Sequence, residues 1–315
     1  TNAVFYNKEI FDKAGVEYPS DNMTFEDFKA KCEELKNAGL PEGTYPTAVN
    51  RNSGQTTYYA SAFANGGYFL SEGNEKSGWD DPKTIEAVQS WLDLVSEGLS
   101  PTLDQMADTD PDAMFQGGQL AMYLSGNYMI ASYDKTLEGK YGIAKRPTYN
   151  GKDTDIINGL AFSVSANTKH PEEATDFALW LGSEEAQKIN GEAGVCISAR
   201  NDCQQYFVDA HENLNCQIFL DNVANAELLP HCKITSQLSQ VEKKYLEPAW
   251  KGETKLADAC KSVAEEQNKL LEEMNAKIIG AVLYEQKKKQ KRIKEKSVTP
   301  SRKRTGLQLI SSLLR

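Results

Sequence analysis

The chain has 315 residues, room for one large or two ordinary cores, and is 40% hydrophobic, 9% aromatic and 25% charged, the balance of a globular protein. No run approaches the ~18 apolar residues a membrane helix needs, and a net charge of −10 argues against a nucleic-acid surface, which is normally basic. The charge is uneven: from Tyr284 onward eleven Lys or Arg face only Glu285 and Glu295, about +9, which leaves about −19 for everything before.

Ala3, Val4, Phe5 and Tyr6 form an apolar patch that predicts a buried strand. It runs into a polar turn at Asn7 and Lys8, then a short helix carrying Ile10, Phe11 and Ala14 that Gly15 stops. Thr24 and Asp27 resemble a capping box, and Phe25, Phe28, Cys32 and Leu35 mark one helical face as far as Gly39. A short strand is expected at Pro46 to Val49. The polar loop NRNSGQTTYY then enters a helix through Tyr58, Tyr59, Ala62 and Phe63 that breaks at Gly66-Gly67. Asp81 with Pro82 predicts a helix start, with Ile85, Val88, Leu92 and Val95 on the buried face and a stop at Gly98. Asp110-Pro111 repeats that signal for a one-turn helix ending at Gly117-Gly118.

LAMYLSG (120–126) alternates as a strand does and turns into a helix at Asn127. YGIAK and LAFSVSA predict two further strands, the second followed by the helix HPEEATDFALWL. From 204 to 279 the pattern is nearly all helical, apart from breaks near Pro230 and Gly252. Short strands alternating with helices define an α/β class. The cysteines at 32, 196, 203, 216, 232 and 260 show no C-x-x-C and no close spacing to His170, His211 or His231, so no metal is expected. They fit small buried apolar residues. One or two disulfides between 196 and 232 stay open.

The order of these pieces resembles a known family. VFYNKEIFDKAGVEYPSDNMTFEDF, FANGGYFL with DDPKTIEAVQSWLDLVSEGLSP, FQGGQLAMYLSGNYMI, NGLAFSVSANTKHPEEATDFALWLGSEEAQ and AWKGETKLADACKSVAEEQNKLL follow one another over roughly residues 1 to 275. In that order they are similar to the extracytoplasmic solute-binding proteins of carbohydrate ABC importers, which include the maltose-binding proteins. The resemblance implies a periplasmic-binding-protein-like two-lobe α/β fold of type II. In that family the Tyr-Asn strand crosses from the first lobe into the second, after about a hundred residues of first-lobe sequence. The expectation is therefore a chain with its first lobe, signal peptide and any lipid anchor mostly missing. Residues 1–156 should be the first part of the second lobe, 157–203 the returning first-lobe segment and 204–283 the C-terminal helices of the second lobe. The implied function is binding of a sugar or oligosaccharide outside the membrane, as a monomer, for delivery to ABC permease subunits, with no enzyme activity and no cofactor.

A pyranose offers hydroxyls around its ring and a C–H patch on each face, so its site needs aromatic faces and short polar groups. The family places a stacking aromatic, most often Trp, where this chain has Tyr128, after Gly126 and Asn127. The alternative is a Tyr half-buried against its helix. Asn52, Gln55 and Thr56 lie in a loop before a helix, where free N–H groups suit hydroxyls; Tyr59, one turn in, fits site or core equally. Asn158 and Gly159 begin the returning strand, where the family's glycine lets backbone approach the ligand. Trp79 could stack or could staple the helix that Asp81 caps. His231 and Gln237 fall near the family's last binding loop, without the usual aromatic.

Other solutes remain open, namely a polyol, a peptide or a polyamine. An amino-acid-like ligand would want an Arg clamp, for which Arg51 and Arg200 are the candidates. A glycosidase needs two carboxylates facing one cleft, whereas Asp80-Asp81 and Glu184-Glu185 stand at helix starts, where the dipole favours them. The stretch 284–315 belongs to no binding protein. It reads either as a disordered or foreign basic tail, or as the Lys/Arg-rich leader of the partner permease, with LQLISSLLR at the edge of its first membrane helix. On either count it should not pack on the lobe.

Overall fold

The computed structural model describes residues 1–49 and 54–298. Strand β1 (Asn2–Asn7) leads directly into helix α1 (Lys8–Ala14), which the Asn7 side chain caps by accepting from Ile10 N at 3.2 Å. Gly15 ends α1 at φ 68°, a backbone conformation that costs glycine nothing. Helix α2 (Phe25–Asn37) starts on the capping box: Thr24 Oγ1 accepts from Asp27 N, and the Asp27 carboxylate accepts from Thr24 N. Its expected apolar face is buried.

Helix α3 (Tyr58–Ala64) packs on α4 (Pro82–Ser96), which Asp81 caps by accepting from the Lys83 and Thr84 amides. The buried face of α4 is Thr84, Ala87, Val88, Trp91, Leu92 and Leu94, while Ile85 and Val95 are only partly covered. The predicted stripe is rotated because Trp91 turns inward, its Nε1 donating to Ser61 Oγ at 2.9 Å. Helices α5 (Leu103–Asp108) and α6 (Pro111–Gln116) precede strand β2 (Met122–Gly126). Helix α7 (Ile130–Leu137), strand β3 (Tyr141–Ala144) and strand β4 (Asp155–Ile157) follow.

The sheet has the order β2-β1-β3, all antiparallel, with Val4 opposite both Leu124 and Ala144. Strand side chains alternate in direction, so the continuous apolar run Ala3–Phe5 within β1 must be covered on both faces. Val4 joins the larger core with α2, α3 and α4. Ala3 and Phe5 enter a second core, where the Phe5 ring meets Tyr133 edge-on at 5.1 Å and stacks on Tyr141 at 6.1 Å. The β1 run sits at the centre of the molecule.

The remaining elements are helices α8 (Pro171–Leu181), α9 (Glu184–Glu192), α10 (Gln204–Asp209) and α11 (Gln217–Asp221), strand β5 (Ala226–Leu228), and helices α12 (Thr235–Trp250) and α13 (Leu256–Val298). Phe207 and Phe219, from α10 and α11, fill the second core, and α12 and α13 close the first. None of the described helices is long and apolar enough to cross a membrane.

Four expectations need correction. At Pro46–Val49 there is no ladder; Tyr45 alone makes a bridge, parallel to Leu120. Residues 160–165 form no strand, because among the described residues no neighbour completes a ladder. The nearly helical stretch from 204 is interrupted by β5, which pairs in parallel with β4. The boundary at 284 falls inside α13, which continues to Val298, so this part of the basic stretch is helical rather than disordered. LQLISSLLR lies outside the described residues. All six cysteines are free, which settles the disulfide question; Cys32, Cys203, Cys216 and Cys260 are buried. Burial pushes the thiols of Cys216 and Cys260 up to about 12.

Candidate ligand-binding site

Strand β2 ends at Gly126, opposite Asn2. Asn127, half-buried, opens the 3₁₀ turn Asn127–Met129, and Tyr128 at its centre is 54% exposed. The Tyr128 ring lies against Gly126 so closely that a Cβ there would stand 2.1 Å from Tyr128 Cε1. Only glycine admits the ring in that position. Partial burial, with the nearby Asp112 carboxylate, pushes the Tyr128 phenol up, so it stays protonated and able to donate.

Gln55 links this turn to the rest of the sheet end. Its carbonyl accepts from Asn2 Nδ2 at 3.3 Å, and its Oε1 accepts from Asn158 Nδ2 at 3.1 Å. Gly126, Gln55 and Asn158 thus meet at one edge, although the sequence separates them widely. Gly159 is exposed, and a methyl group there would touch nothing within 4 Å, so crowding does not require glycine. Asn52 and Arg51 lie outside the described residues. Thr56 is buried, and its carbonyl accepts from Arg146 Nη1 at 3.0 Å.

Beside this edge a cavity of about 330 Å³ opens between the turn at Gly54–Tyr59 and one face of α12. Tyr58, Tyr59, Ser236, Ser239, Gln240 and Glu242 line it, among others. Tyr59 repeats the arrangement at Tyr128: its ring lies on Gly54, where a Cβ would come within 2.4 Å of Cε1. Phe69 backs the Tyr59 ring at 4.2 Å between centroids. Burial pushes both the Tyr59 phenol and the Glu242 carboxyl up, and the negative charge of Glu242 adds to the effect on Tyr59. Aromatic faces, hydroxyls, the Glu242 carboxylate and the Lys243 ammonium line it together, groups that can stack on and hydrogen-bond a hydroxyl-bearing molecule.

Several expected residues stand elsewhere. Trp79 is fully buried, its indole Nε1 donating to Glu242 Oε1 at 3.1 Å and its ring edge-on to Phe69 at 4.9 Å; it is core and cannot stack on a ligand. His231 and Gln237 are exposed and do not line the cavity; the neighbouring helical positions Ser236 and Ser239 do. Arg200 is paired at the surface with Asp202 at 2.6 Å, so it clamps nothing. Asp81 is spent as a helix cap, and Glu184 and Glu185 occupy the first turn of α9.

The sequence reading missed a buried polar knot beneath the site. Asp155 Oδ2 accepts from Asn2 N at 2.6 Å and Asn222 Nδ2 at 3.4 Å, while Oδ1 accepts from Asn2 Nδ2 at 2.8 Å and Ile156 N at 2.7 Å. Arg146 is buried nearby, donating to the carbonyls of Thr56 and Thr57 and lying 5.9 Å from the Trp91 ring centroid. A signal existed in the Asp-Ile-Ile of β4, an acidic residue opening an apolar strand, but nothing local names its partners.

This arrangement has counterparts among solved proteins. An ABC substrate-binding protein of Listeria monocytogenes, in complex with cycloalternan, superposes with a TM-score of 0.74 at 22% identity, over 86% of this chain and 69% of that one. An ABC transporter solute-binding protein of Thermotoga lettingae, bound with α-D-tagatose, gives 0.73 at 22% identity, over 86% and 70%. The fold is therefore that of the two-lobe α/β binding proteins. A model of the bacterial extracellular solute-binding protein family matches residues 1–188, and the chain belongs to that family. The arabinooligosaccharide-binding protein of Bacillus subtilis is 29% identical over 197 residues, 60% of this chain and 44% of that protein. The chain spans about half the length of the curated relatives it matches.

Proposed function

We propose that this protein captures a mono- or oligosaccharide outside the membrane and delivers it to the permease subunits of an ABC importer. The observation that carries this reading is the pair of tyrosine rings each laid on a glycine, Tyr128 on Gly126 at the end of β2 and Tyr59 on Gly54 at a cavity lined by hydroxyl and amide groups. Such a surface holds a sugar by stacking and hydrogen bonding and needs no nucleophile. The sugar ligands named for the similar proteins support the same class, and the extracellular family supports a place outside the cytoplasm. Only one carboxylate, Glu242, lines the cavity among the described residues, which gives no support to a glycosidase pair. Screening the chain by titration calorimetry against sugars, polyols, peptides and polyamines, with product analysis, tests the proposal. Saccharide binding without product is expected. Turnover of a glycan, or binding confined to another solute class, would sink it.

The domain division belongs to the same proposal. We assign 157–203 to the first lobe, and 1–156 with 204–283 to the second. Helix α8 buries none of its side chains, and Leu160, Phe162, Phe177, Leu179 and Trp180 are all exposed. So much apolar surface in one segment marks a face made to be covered, here by further first-lobe structure. Because nothing described covers Leu160 and Leu179, Leu160→Ser with Leu179→Ser is expected to change stability by less than ~0.5 kcal/mol and to weaken binding of a hydrophobic dye. A loss above ~1 kcal/mol in urea denaturation would show that these side chains already pack within the chain.

A further inference from the structure

Glu242 stands where the cavity of about 330 Å³ meets a smaller one of about 30 Å³ behind it, and it lines both. Its two oxygens are used unequally. Oε1 accepts from Trp79 Nε1 at 3.1 Å and from Gln267 Nε2 at 2.9 Å, which fills its two lone-pair directions. Among the described residues Oε2 has only the Tyr59 hydroxyl at 3.4 Å, a long contact for an O–H donor. Tyr59 lines both cavities, whereas Gln267, which holds Oε1, lines only the smaller one, so Oε2 is the oxygen farther from the Gln267 side. The Trp79 and Gln267 bonds fix the carboxylate plane from behind. One strong acceptor position is left open, next to a hydroxyl that can give or take a second bond.

We propose that Glu242 Oε2 and the Tyr59 hydroxyl together receive one hydroxyl group of the bound saccharide, and so select ligands that carry a free hydroxyl at that ring position. This rests on the cavity being part of the saccharide site. The ligand hydroxyl donates to Oε2 and accepts from, or donates to, the Tyr59 oxygen. Glu242 therefore reads the ligand directly, while Trp79 and Gln267 only position it. A site built to bond a hydroxyl rejects the analogue lacking it, because the desolvated carboxylate is then left without that donor.

The test is a deoxy scan. Arabinotriose, maltotriose and cellotriose are titrated into the chain by calorimetry, followed by single-position deoxy versions of the tightest binder. One deoxy sugar is expected to bind about tenfold to a hundredfold more weakly than its parent. In Glu242→Gln that difference should shrink to about threefold or less, while other positions keep their penalties. Tyr59→Phe keeps the ring and should narrow the same difference, which covers the case in which Glu242→Gln fails to fold. If the trisaccharides bind and every deoxy penalty is the same in wild type and variants, Glu242 reads no hydroxyl and the inference falls alone. If no saccharide binds, the saccharide reading falls and takes this with it. Spermidine binding that Glu242→Gln abolishes would overturn the hydroxyl assignment in favour of an ammonium group.

Discussion

Asp155→Ala is expected to cost the folded chain about 3–5 kcal/mol, the range for breaking a buried charged network by removing one partner. The carboxylate is 2% exposed and collects four donors from three parts of the chain: Asn2 through its amide and side chain, Ile156 through its amide, and Asn222. Alanine would strand those donors in a site too buried for water to replace the acceptor. It would also leave Arg146, whose guanidinium burial already pulls down, without the negative charge that offsets part of that effect. Asp155→Asn keeps the shape and one acceptor and should cost less than alanine. Urea midpoints for the two variants check this. An alanine variant within ~1 kcal/mol of wild type would mean the network is held by β1 pairing alone.

The second large effect concerns binding. Tyr128→Ala should weaken the affinity for the best saccharide roughly tenfold to a hundredfold, because a stacking ring of this size contributes on the order of 1.5–3 kcal/mol. Stability should hardly change, since Tyr128 is 54% exposed and lies over the buried Gly126 rather than in the core. Gly126→Ala gives an independent check: its methyl group would occupy the space of the ring and push Tyr128 aside, with a comparable loss of affinity. Titration and a melt on the same sample separate the outcomes. Unchanged affinity with a large loss of stability would place Tyr128 in the core and remove it from the site.

What could be read from the sequence was local. The Thr24–Asp27 box, the Asp81-Pro82 start and the Gly15 stop each act within one turn, so a few consecutive residues specify them. The sheet was legible where the alternation was strong, at β1 and β2. It was not legible where pairing decides: Ala226–Leu228 becomes a strand only because β4, some seventy residues earlier, lies beside it. Trp79 misled for the same reason, since its partner Glu242 is 163 residues away. Glu242 itself sits in Gln-Val-Glu-Lys-Lys, a run that looks like a solvated helix face. Arg146 and Asp155 carry no motif at all; their contacts span 90 and 153 residues. The Tyr128 turn was legible because the Gly-Asn-Tyr order is local, whereas the cavity beside it is made by two distant elements.

The central position of β1 sets a timetable for the chain's birth. Val4 and Phe5 find their first partners only at Leu124 and Tyr123, and their second at Ala144 and Ile143. A ribosome adding ~5–20 residues per second reaches the first partner about 6–24 s after making β1. Throughout that interval β1 lacks both of the sheet partners it has among the described residues, and α1 to α4 emerge without the sheet they are meant to cover. Helices cannot consolidate around a missing layer, so the body stays unfinished until β2 appears and then closes late. A factor that shields unpaired apolar segments during synthesis would hold β1 until residue 144 has been made.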